Sequence, residues 1–91
     1  MRDKTISFDG SPVRVSYLTK IENAEFNNGV RQELPPTLFI ATKDQKWFDS
    51  LEVGSEHTIE YAGTEYPARL IDKLPDEEFD VLELHFATKF L

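Results

Sequence analysis

Residues 57–73, HTIEYAGTEYPARLIDK, constrain this chain more than any other stretch. Ile59, Tyr61, Tyr66, Ala68 and Leu70 recur at period two around the pair Ala62-Gly63. Successive strand side chains point to opposite faces, so the spacing predicts a β-hairpin with these five on one buried face. Gly63 supplies the positive φ that a tight turn needs. A two-residue loop sets Glu60 opposite Glu65, an unfavourable pairing. A four-residue loop, Ala62 to Glu65, keeps the same inward set and pairs Tyr61 with Tyr66. The charges favour the longer loop, and the sequence leaves the register open. Pro67 has no N–H to give to a ladder, which places its strand at an edge or at a bulge.

The other apolar runs read as cover for this hairpin. Residues 5–8 alternate, with Ile6 and Phe8 inward, and Asp9-Gly10-Ser11-Pro12 is a turn cluster. Residues 13–18 follow, with Val13, Val15 and Tyr17 on one face, so the two runs predict a second hairpin. Residues 37–42, TLFIAT, are apolar on both faces, as in a central strand. Asp44 is placed to cap a helical turn carrying Trp47, Phe48 and Leu51, with Trp47 and Leu51 on one face to plug an open barrel end. Leu74-Pro75-Asp76-Glu77-Glu78 reads as a turn. The last strand is expected over residues 79–86 with Leu82, Leu84 and Phe86 inward, followed by a tail that frays.

Residues 19–36 differ. The segment is polar, contains Asn27-Asn28-Gly29 and ends in Pro35-Pro36. It predicts a long mobile loop, with at most a brief extended piece over residues 30–34. Within it, Ile21, Phe26 and Val30 are candidate anchors on a partner, and Arg31 a candidate ion-pair donor. The expected fold is all-β: a small antiparallel barrel or sandwich of five to six short strands in a single domain over residues 1–91.

With 91 residues the core is small. Seventeen acidic against ten basic residues give a net charge of −7, which argues against a general nucleic-acid binder or anionic-lipid docking and favours solubility. The absence of cysteine removes disulfides, thiolate nucleophiles and cysteine-based zinc sites. No apolar leader or membrane-length stretch is present, so a soluble cytosolic chain is expected.

No phosphate-binding glycine loop or dinucleotide fingerprint occurs, and no cofactor is expected. His57 and His85 lie outside any metal-ligand spacing and read as surface strand residues. The acidic run Asp76-Glu77-Glu78-Phe79-Asp80 lacks the glycine and spacing of a calcium loop. No catalytic constellation emerges, so the residues alone point to binding rather than catalysis. Trp47 and Phe48 read first as core; the alternative is that adjacent large aromatics on a short turn leave one of the two exposed for a partner.

Read from Lys4 to Phe86, the order of features resembles the head–tail joining proteins of lambdoid tailed phages and prophages. Thr5-Ile6 with Val13-x-Val15 is similar to that family's first hairpin. The polar segment with Glu22-Asn23, Asn28-Gly29-Val30-Arg31 and Glu33 resembles its long mobile loop. Pro36-x-Leu38-Phe39-Ile40-x-Thr42 resembles the following strand. Leu51-x-x-Gly54, Thr58-Ile59, Gly63-x-x-Tyr66 and Ile71-Asp72 are similar to the central hairpin, and Leu82-x-Leu84 to the last strand. The resemblance implies a non-enzymatic virion assembly protein that acts in the host bacterial cytoplasm and remains at the head–tail interface.

It implies as partners the portal or connector proteins of the DNA-filled head and a tail-terminator protein. The free chain is expected to be a monomer that forms a homo-oligomeric ring, hexameric by the resemblance, through which DNA passes without specific binding. Candidate interface residues are Ile21, Glu22, Asn23, Phe26, Asn28, Val30, Arg31, Trp47 and Phe48. The alternative is a small bacterial β-barrel adaptor that takes a protein or peptide at an exposed sheet edge.

Overall fold

A computed structural model describes residues 3–76, 78 and 80–89 of the chain. The expected strand start at Phe79, Glu77 of the acidic run, and the expected fraying at Phe90 and Leu91 lie outside the described residues. The chain forms β1 (Lys4–Phe8), β2 (Ser11–Val15), β3 (Tyr17–Asn27), β4 (Val30–Thr42), α1 (Gln45–Ser50), β5 (Glu56–Tyr61), β6 (Thr64–Asp76) and β7 (Val81–Thr88). All seven strands join one antiparallel sheet in the order β2-β1-β5-β6-β7-β4-β3. The expected barrel or sandwich of five to six strands is therefore corrected to a single seven-stranded sheet that is not closed.

Closure fails at a defined place. Ser16 alone separates β2, at one edge, from β3, at the other. The two edges meet there, where the Ser16 N–H donates to the Ala41 carbonyl at 2.7 Å, but no ladder joins β2 to β3. The expected single strand over residues 13–18 is split at this point. Its inward phase changes with it: Val15 and Leu18 are buried, whereas Tyr17 is only half-buried.

The period-two reading of the core holds. Ile6, Val15, Leu38, Ile40, Ile59, Leu70, Leu84 and Phe86 are each at most 2 % exposed, and Tyr66 and Leu82 pack against them partly buried. Asp44 caps α1 as expected, its carboxylate accepting from the Trp47 N–H at 3.0 Å. The helix sends Phe48 and Leu51 into the core and rests Trp47 edge-on against Phe8, ring centroids 5.2 Å apart.

The central hairpin takes the register that the charges disfavoured. Tyr61 pairs with Thr64 and Glu60 with Glu65, so the turn is the two residues Ala62 and Gly63, both at positive φ (52° and 81°). Such a turn matches the right-handed twist of its strands. Both glutamates are exposed, and water screens their repulsion. Tyr61 consequently does not face Tyr66, which pairs with Ile59.

Pro67 is neither on an edge strand nor at a bulge, because β6 runs between β5 and β7. The β6–β7 ladder begins at Ala68 opposite Thr88, so the missing donor falls just outside it. The irregularity in β6 lies between Leu70 and Asp72. β6 also continues to Asp76, through what reads in sequence as a turn.

Candidate functional site

The largest departure from expectation is the polar segment. Residues 19–34 are no loop: they belong to β3 and β4, which pair from Tyr17 opposite Ala41 to Asn27 opposite Val30. Asn28 and Gly29 make the turn, at φ 53° and 79°. Asn and Gly are the residues that adopt this left-handed pair most readily.

β4 pairs with β7 only from Thr37 to Thr42. Beyond that, residues 23–34 form a two-stranded ribbon with no third strand. At its base the register shifts between Ile21 and Asn23, so that Glu22 stands against Pro35 and Pro36. The Asn23 side-chain amide spans this bulge, donating to the Pro35 carbonyl at 3.0 Å and to Thr37 Oγ1 at 3.1 Å. Thr88 Oγ1 donates to the Pro36 carbonyl from the other side.

The ribbon gathers most of the expected interface residues, but not as one patch. Phe26 is 73 % exposed and stands opposite Arg31; Val30 is 66 % exposed and stands opposite Asn27. Adjacent positions of a strand point oppositely, so Phe26 and Val30 lie on opposite faces of the tip. Ile21, 39 % exposed, sits back at the base, before the bulge. Arg31 is already paired, with Glu33 at 3.0 Å, and Glu22 with Lys20 at 3.1 Å. Hydrogen bonding and charge from Glu22, with a smaller contribution from Tyr66, hold the Lys20 ammonium above its usual range. Asn23 is half-buried and bridges the bulge, whereas Asn28 makes the turn and is exposed at the tip. Trp47 is half-buried, and Phe48 is buried under the Lys73 ammonium, 4.4 Å from its ring centroid. Neither aromatic of that pair is freely exposed.

Both histidines are mostly covered, contrary to their reading as surface residues. His57 Nδ1 lies 2.6 Å from Asp9 Oδ2, and its Nε2 lies 2.7 Å from Ser55 Oγ. Asp9 also exchanges bonds with Thr58, its Oδ1 accepting from the Thr58 N–H and its own N–H donating to the Thr58 carbonyl, both at 2.8 Å. Burial pushes the Asp9 carboxyl up. The His57 and Thr58 hydrogen bonds and the His57 charge together outweigh burial and hold it below its ordinary 3.8.

Asp, His and Ser are also the residue types of a hydrolytic relay. Here Ser55 Oγ donates to the Glu52 carbonyl at 2.6 Å. The neighbouring amides are engaged as well, Gly54 on the Leu70 carbonyl and Ser55 on the Glu52 carbonyl, which leaves them no role as oxyanion donors. The trio clasps the β1–β2 turn onto β5. His85 stacks on Phe39, centroids 4.0 Å apart, and bonds Glu83 at 2.9 Å. No local motif announces the clasp, because Asp9 and His57 lie 48 positions apart.

Among the described residues no group of three or more histidine or carboxylate side chains is arranged to hold a metal, and no helix is long and apolar enough to cross a membrane. Compared with protein-family models, curated proteins and solved structures, the chain matches none of them.

Proposed function

We propose that this chain is a structural protein of virion assembly, which joins the DNA-filled head of a tailed phage or prophage, at its portal complex, to the tail. The observation that carries this reading is the β3–β4 ribbon: it leaves the sheet without a third strand and ends in exposed Phe26 and Val30. An apolar tip on a projecting ribbon costs solubility unless something covers it. The resemblance of residues 4–86 to head–tail joining proteins supports the same role. Joining needs no catalytic step. In a ring of copies, the net charge of −7 would repel DNA from the lumen wall and let it slide.

The test is electron microscopy of particles made without the gene, complemented by variant chains. The expected result is separate filled heads and finished tails, rejoined by the intact chain but not by one lacking residues 25–29. Joined particles without the gene would overturn the role; rejoining by the deletion variant would overturn the ribbon's part in it. The unpaired edges of β2 and β3 favour a second reading, an adaptor that takes an extended peptide as an added strand. That reading requires normal particles in the same experiment.

A further inference from the structure

We propose that the ribbon tip of one copy seats in the groove beside β2 of a second copy. The contact itself is independent of the joining role; only the ring it would build rests on that reading.

The groove is a cavity of about 450 Å³ between β2, the end of β4 and α1. Val13 and Trp47 line it, with Arg14, paired to Asp3 at 3.5 Å, and Lys43, beside the α1 cap Asp44, at its rim. It is bounded by an edge strand, since β2 pairs with β1 alone. It therefore offers a partly apolar floor beside an unpaired strand edge, the surface that an inserted β element fits.

The ribbon tip has complementary features: Phe26 on one face, Val30 on the other, and a short body between them. Glu25 on the ribbon and Lys43 on the rim have no ion-pair partner among the described residues, and their charges are opposite. The tip of the same molecule cannot reach this groove. Ser16 lines the groove and leads directly into β3, and Phe26 is ten residues further on. At about 3.3 Å per residue that is roughly 33 Å away. Folding back would break the β3–β4 ladder, so the groove can take this tip only from another copy.

Tip into groove is a head-to-tail contact. Repeated, it closes a ring or extends a filament, according to the rotation between copies. The tip is small against the roughly 1,000 Å² of a stable interface. The free chain is thus expected to remain a monomer at micromolar concentration and to make the contact when copies are crowded.

The chain has no cysteine, which makes the contact directly testable. Chains carrying Glu25→Cys and chains carrying Lys43→Cys are mixed at millimolar concentration, oxidised and run on a non-reducing gel. The expected result is mixed dimers well above either variant alone, and a ladder or closed ring from a chain carrying both. Adding Phe26→Ala to the Glu25→Cys chain should cut the yield about ten- to a hundredfold, the range set by losing one buried aromatic. Its thermal unfolding should stay unchanged, because Phe26 is exposed within the chain. Adducts of Glu25→Cys with itself alone would overturn the proposal in favour of tip-to-tip pairing. Absence of any matched adduct, or a yield indifferent to Phe26→Ala, would overturn it and leave the groove to a different partner. Normally joined particles made without the gene, with the cross-link still formed, would overturn only the proposed function.

Discussion

Replacing Ala62 by Asn tests the register of the central hairpin. Ala62 sits at φ 52°, in the left-handed region, and its side chain is exposed. An L-residue with a Cβ is destabilised there by about 1–2 kcal/mol. Asn tolerates the conformation, and at the equivalent turn of the ribbon Asn28 takes φ 53° before Gly29. No packing is lost at an exposed tip. The expected gain is therefore about 0.5–1.5 kcal/mol. With a urea m-value of about 1–2 kcal/mol/M, the midpoint should rise by about 0.3–1.5 M at constant m. The single tryptophan, Trp47, packs on Phe8 and reports unfolding by fluorescence. Glu65→Lys is the companion, since it turns the Glu60–Glu65 pair into an opposite-charge pair across the strands. It should add about 0.2–1 kcal/mol, less at high salt. A four-residue loop would place Glu65 within the turn and have no need of a left-handed Ala62. An unchanged or lowered midpoint for Ala62→Asn, with a salt-independent Glu65→Lys, would refute the two-residue turn.

Further outcomes follow from the packing, the clasp and the ribbon. Leu84→Ala, at a fully buried position, should cost about 2–5 kcal/mol on urea denaturation. Leu74→Ala, on the neighbouring strand and 42 % exposed, should cost less than about 1 kcal/mol. The Asp9 carboxyl is held below its ordinary 3.8, so its contribution is fully present above that pH and is lost as pH falls through the lower folded value. Acid titration of stability should accordingly be shallower near and below pH 3.8 in Asp9→Asn than in the parent chain. Amides of residues 23–34 that bond within the ribbon should exchange with solvent faster than those of Leu38 and Ile40, since a two-stranded ladder open on both faces is marginal alone.

What was legible in the sequence is what a buried face imposes. Ile59, Leu70, Leu84 and Phe86 alternate because one side of each strand meets the core, and that alternation is visible without the fold. The Asp44 cap is legible for a local reason: its partner, the Trp47 N–H, is three residues away. The ribbon was hidden because neither of its faces packs on the core, so no burial imposes a period on residues 23–34. Its one signal was Asn28-Gly29, flanked by Phe26 and Val30, which fits a hairpin turn as well as a loop. Of the expected interface residues, Asn23, Phe26, Asn28, Val30 and Arg31 lie on this ribbon, with Phe26 and Val30 on opposite faces of it. The change of phase at Ser16 depends on how far the sheet rolls, and the pairing of Asp9 with His57 depends on where β1 meets β5. Both are properties of the assembled sheet rather than of any window of sequence.

Finding a ribbon where a loop was expected changes the energetics of docking. A structureless segment of about a dozen residues loses roughly 1–2 kcal/mol of backbone entropy per residue when a partner orders it. Over a dozen residues that loss, roughly 12–24 kcal/mol, exceeds several-fold what two exposed apolar side chains return on burial, about 1.5–3 kcal/mol each. In residues 23–34 the ladder bonds, the Asn28-Gly29 turn and the Asn23 bridge across the bulge already fix the backbone. Phe26 and Val30 are thus presented at a set spacing on opposite faces, and only their side chains remain to be immobilised. A preorganised tip can use a small contact effectively. It also makes the bulge a control point: Asn23→Ala removes the two bonds that pin the base of the ribbon while leaving Phe26 and Val30 untouched. If preorganisation matters, that substitution should weaken tip-dependent cross-linking without altering the tip. An effect equal to that of Glu22→Ala, a neighbour whose side chain does not bridge the bulge, would mean that the ribbon's direction is set by its ladder alone.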